Sequence, residues 1–182
     1  MRGFLVVVAL LVLGGCSTYS ADRYAISADN VVALRAVSGT PGQIGDFTSV
    51  AKDKSGADMK EIMCRGVGPI TTPDNEPFAQ YIKKALVDEM KMAEVYSDSS
   101  PVTLSGSLDA IDFSSNSGHW LITLTLKSSN GKSMQLNEKY PYKTSFVGET
   151  ACNQTAQAFM PAVQNLVGKA VRSPEFVGLV AR

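Results

Sequence analysis

Three cysteines (Cys16, Cys64, Cys152), one histidine (His119) and the neighbouring carboxylates Asp109 and Asp112 are the side chains of this 182-residue sequence whose chemistry could go beyond packing. A structural zinc site needs several closely spaced Cys or His ligands. No such spacing occurs, so no metal is expected. His119 could titrate near neutral pH, but no recognisable motif sets a nucleophile beside it, and it reads as a polar residue at a turn. Asp109 and Asp112 are three residues apart, which on a regular strand places them on opposite faces and argues against shared acid–base work. Gly66-Val67-Gly68 lacks the third glycine of a dinucleotide fingerprint, and Pro69 and Pro73 separate it from the next helix. It reads as the end of a strand, not a phosphate cradle. No catalytic set and no cofactor site emerge, so a non-enzymatic protein is expected.

Composition narrows the class further. Lys+Arg and Asp+Glu both count 17, with no basic or acidic run. That balance gives no reason to expect a nucleic-acid partner. The length suits one domain with a real core. Residues 4–13 form ten consecutive apolar positions behind Met1-Arg2. In a helix they would rise about 15 Å, half a hydrocarbon core of roughly 30 Å, so a signal peptide is expected rather than a membrane span.

The run ends in Leu13-Gly14-Gly15-Cys16, which resembles the lipobox of bacterial lipoproteins. The resemblance implies cleavage before Cys16, a diacylglycerol thioether on its sulfur and further acylation such as palmitate. Ser17 stands where Asp would favour inner-membrane retention, which by the same resemblance implies an outer-membrane anchor facing the periplasm. Residues 1–15 are then a signal peptide, residues 16–30 a lipidated polar tether spanning about 20 Å, and residues 31–182 a single domain. With Cys16 committed to lipid, Cys64 and Cys152 remain in an oxidising compartment. A disulfide between them is expected, the alternative being two buried thiols acting as small hydrophobes.

Periodicity supplies the elements that must position these groups. The β-branched residues 31–37 predict a first strand, and residues 60–67 a second. Phe78, Ile82, Ala85, Leu86, Met90 and Ala93 recur at helical spacing, with Asp74 in the N-cap region. Strands follow near 102–113 and 120–126, a hairpin at Asn130-Gly131 where both residues tolerate positive φ, and a third strand over 134–146 with Pro141 at an edge. A long helix is expected over 149–171, kinked at Pro161, then an apolar tail at 176–180 that either folds back or docks elsewhere. The fold class expected is α+β, a mainly antiparallel sheet of about four to five strands with two helices on one face. In element order and size the chain resembles small envelope lipoproteins of the YajG and LptE type. That likeness implies a binding or scaffold accessory to another envelope component. The alternative is a carrier of a lipidic or small apolar ligand.

Overall fold

The computed structural model describes residues 17–37 and 42–181. Cys16 and the apolar run before it lie outside the described residues. The chain forms β1 (Tyr19–Ser20), α1 (Ala28–Arg35), β2 (Gln43–Ser49), β3 (Glu61–Cys64), β4 (Gly68–Thr71), α2 (Phe78–Met92), β5 (Thr103–Ser114), β6 (His119–Ser128), β7 (Ser133–Pro141), α3 (Gly148–Arg172) and α4 (Pro174–Val180). The class is α+β, but the strands make two mixed sheets instead of one mainly antiparallel sheet, and the described helices number four, not two. The larger sheet has the order β2-β5-β6-β7, the smaller β1-β4-β3. β2 pairs parallel to β5 and β1 parallel to β4, while the hairpins are antiparallel. Parallel pairing needs a long crossover, and the β2-to-β5 connection supplies it with β3, β4 and α2.

The strongest periodicities give the best-placed elements. On α2, Phe78, Ile82, Ala85, Leu86 and Met90 are all buried. Asp74 does not cap this helix: its N-cap is Pro77, without a side-chain bond. Asp74 instead accepts a two-pronged bond from Arg23, at 2.7 and 3.0 Å. Asn130-Gly131 forms the β6–β7 turn, yet only Gly131 takes positive φ, at 88°. Pro141 ends β7, an edge strand. α3 continues through Pro161 without a break.

Two expectations fail at the N-terminal side. Residues 31–35 lie in helix α1, with Ala36 as its C-cap, and not in a strand. Asn30, Val31 and Leu34 are buried while Val32 is exposed, a helical pattern that tertiary contacts impose over β-branched propensity. Residues 19–30 are not a free tether. Tyr19 and Ser20 pair with Ile70 and Thr71, and Ala21 is buried with its N–H donating to the Thr71 carbonyl. The apolar tail folds back as α4, burying Phe176, Leu179 and Val180. Ser173 caps it by accepting from the Glu175 N–H, and Pro174 opens its first turn.

The core is centred on aromatics from three elements. Trp120 of β6 is fully buried, 4.9 Å by ring centroid from Phe159 of α3 and 6.4 Å from Phe78 of α2. Its indole N–H donates to the Thr155 carbonyl at 2.9 Å, so the polar end is satisfied. Trp120 is thus a packing residue, as its alternation with Ile122 and Leu124 suggests.

Candidate functional site

The densest polar construction gathers at one end of the molecule, where the β3–β4 turn, the β5–β6 turn and the β7–α3 connection meet. Cys64 closes β3 and Cys152 lies in the first turns of α3; their sulfurs are bonded at 2.07 Å across a sequence separation of 88. Both are completely buried. In the chain-entropy picture a crosslink of that loop size stabilises the fold by about 4 kcal/mol.

Arg65, the next residue, ties the end together. It takes φ 49° and Gly66 φ 69°, the two positive values of a type I′ turn. Its Nε donates to Ser115 Oγ at 2.9 Å. One terminal nitrogen donates to the Ser115 and Ser145 carbonyls, at 2.6 and 3.2 Å. The other reaches the Phe146 carbonyl at 3.2 Å. One guanidinium therefore holds three segments distant in sequence, with Thr144 Oγ1 also donating to the Ser115 carbonyl. Around this clamp the apolar side chains point outward: Phe146 is fully exposed, Val147 61% and Met63 60% exposed.

The start of the described chain lies against the same end. A Cβ on Gly68 would sit 1.8 Å from the Ser17 carbonyl oxygen, so only glycine permits that approach. On the far side of the turn, Val67 packs against Gly148, where a Cβ would stand 3.1 Å from Val67 Cγ2. Gly66-Val67-Gly68 is a structural turn whose last glycine seats the N-terminal segment.

The other sequence candidates come out separately. Ser117 Oγ lies 3.1 Å from His119 Nδ1 in the β5–β6 turn, a bond between two surface residues of one loop. Asp109 and Asp112 share the outer face of β5, contrary to the alternation expected. A register shift between Leu108 and Ala110 inserts one extra residue, and Leu108 and Ile111 are both buried three positions apart. They still stand about 10 Å apart along the strand. Burial pushes the Asp109 carboxyl up, but hydrogen bonds from Thr125, Ser107 and Gln135 outweigh it and hold the carboxyl below its ordinary range. Asp112 instead accepts from the Phe113 N–H. Among the described residues no group of three His, Cys, Asp or Glu side chains could hold a metal ion.

Sequence reasoning missed Glu89, a fully buried carboxylate on α2. Its Oε1 accepts from the Tyr24 hydroxyl at 2.6 Å, the Ser27 N–H at 2.9 Å and Asn30 Nδ2 at 3.3 Å. Burial, then the bond to Glu89, raises the Tyr24 phenol well above its usual value. Those three donors all come from the segment expected to be a tether, so Glu89 helps dock residues 24–30 on α2. Its helical neighbours Leu86 and Met90 could have flagged it as inward-facing. Beside it, Arg23, Tyr24, Asp74, Tyr81, Lys84 and Asp88 line an open cleft of about 200 Å³, in which Arg23 pairs with Asp74 and Lys84 with Glu76.

The helix–helix junction leaves little empty space. A pocket lined by Leu34, Met90, Val95, Phe176 and Val180 holds about 10 Å³, roughly one water. Among the described residues no helix is long and apolar enough to cross a membrane. No protein-family model, no curated protein and no solved structure matches this chain.

Proposed function

We propose that this chain is a lipid-anchored bacterial envelope protein, attached through Cys16 to the outer membrane and facing the periplasm. It acts without catalysis, as a binding or scaffold accessory to another envelope component. The observation that carries this reading is the Cys64–Cys152 disulfide. A buried disulfide belongs to an oxidising compartment, which agrees with an apolar leader ending at Cys16. In this reading the helices cover one face of the four-stranded sheet. The opposite face, with Ser107, Asp109, Thr123 and Thr125, then stays open to partners, as does the β7 edge.

A lipidic ligand needs an enclosing cavity of several hundred Å³. The enclosed junction pocket is far smaller, and the depressions of about 410, 480 and 510 Å³ are open surface hollows, which favours a scaffold over a carrier. Crosslinking in the native envelope tests the proposal. A defined crosslinked adduct is expected, and recovery of the uncrosslinked chain alone rejects a scaffold role. Native mass spectrometry that retained a lipid would instead favour the carrier.

A further inference from the structure

Lipidation at Cys16 puts acyl chains one peptide bond from a residue already seated on the domain. Consecutive Cα atoms are about 3.8 Å apart, and the Ser17 carbonyl rests against Gly68. A free tether of about 20 Å would let the domain hang away from its membrane. With Tyr19 paired to Ile70 and Ala21 buried, that slack is gone. The end of the molecule carrying the Arg65 clamp must then lie at the headgroups.

That end presents Phe146, Val147 and Met63 to solvent. The backbone bearing Phe146 is fixed by Arg65 and by Ser145 Oγ, which accepts from the Val147 N–H at 3.1 Å, so the side chains are held outward in advance. The nearby exposed charges are mixed, Lys60 and Lys143 with Glu61 and Glu149, which leaves apolar burial as the driving force. The geometry points to a second membrane contact: Phe146, Val147 and Met63 insert into the lipid interface of the bilayer that holds the Cys16 acyl chains. The occupant is a phospholipid surface, entered to the depth of the headgroup–acyl boundary. The acyl chains on Cys16 already supply a stable anchor, so the contact acts on how the domain is held and not on whether it stays attached. The contact would fix the domain's orientation, turning the α4 end away from the membrane. This inference rests on the lipidation proposed above.

The test uses the full-length lipidated chain in vesicles of phosphatidylethanolamine and phosphatidylglycerol, with and without brominated acyl chains. The chain has a single tryptophan, the fully buried Trp120, which sets an unquenched baseline. Phe146→Trp is expected to lose about half of its added emission to the brominated lipid. Val177→Trp, on α4 near the opposite end of β6 and about 30 Å away, is expected to be unaffected. Equal behaviour of the two variants in a chain that carries palmitate label overturns the membrane contact and leaves lipidation standing. Absence of palmitate label from the wild type, together with its loss from the membrane fraction, overturns the lipidation and the contact with it.

Discussion

Two apolar segments bracket α3 and meet opposite fates. Phe146 and Val147 lead into the helix and are exposed; residues 176–180 leave it, and Phe176, Leu179 and Val180 are buried. Their side-chain hydrophobicity is alike, so the difference comes from the backbone. Behind α3 the chain makes a further capped helical turn, and its carbonyls are collected by the β6–β7 turn. Ser128 Oγ donates to the Leu179 carbonyl at 2.7 Å, and Asn130 Nδ2 to the carbonyls of Gly178 and Ala181. Before α3, Arg65 takes up the carbonyls of Ser145 and Phe146 and leaves the side chain outside. Apolar residues become buried where the polar backbone between them can also be satisfied.

The sharpest way to break this contrast is a matched pair of truncations. Phe176→Ala should cost about 3–5 kcal/mol through lost burial and a cavity, whereas Phe146→Ala should stay within about 0.5 kcal/mol. Urea unfolding of both variants reads the difference, and equal costs would show that the two segments are packed alike. The disulfide follows closely in size. Replacing Cys64 and Cys152 together by Ala should lower stability by about 4 kcal/mol, measured as a fall in the urea midpoint that reductant does not deepen.

A smaller effect isolates the clamp. Arg65→Ala removes several hydrogen bonds to backbone carbonyls and should cost about 2 kcal/mol. Hydrogen exchange should speed up over residues 142–148 while residues 128–132 and α4 keep their protection; uniform acceleration would mean that the two ends are not independent. The smallest effect is a pH dependence set on the outer sheet face, remote from either segment. The folded Asp109 carboxyl sits below its ordinary range, so its contribution is complete above about pH 4 and is lost as pH falls through the folded value. Asp109→Asn should therefore lower stability at neutral pH by under about 1 kcal/mol and leave it little changed below the folded value, which flattens the acid limb.

Much of the architecture was legible where one face of an element is buried along its whole length. α2, the β5–β6–β7 meander and α3 carry the 3.6- and 2-residue periods that burial of one face demands. Residues 31–37 misled because Val31, Val32 and Val37 favour extended backbone locally, while Leu34 and Asn30 pack as helical neighbours. Asn30 does so by bonding Glu89 and the Gln164 carbonyl, which lie 59 and 134 residues away. The Asp109–Asp112 geometry misled because a bulge changes parity without any mark in residue type.

The cysteine inventory, the ten-residue apolar run at 4–13 and the helical and strand periods are properties of short windows of chain. They depend on bonds and contacts within a few residues, and residue types alone settle them. Four features depend on atoms brought from far along the chain: the parallel pairings of β1 and β2, the seat of Ser17 on Gly68, the Arg65 clamp, and the opposite fates of Phe146 and Phe176. Each requires a specific partner at bonding distance, and only the folded chain specifies which partner arrives.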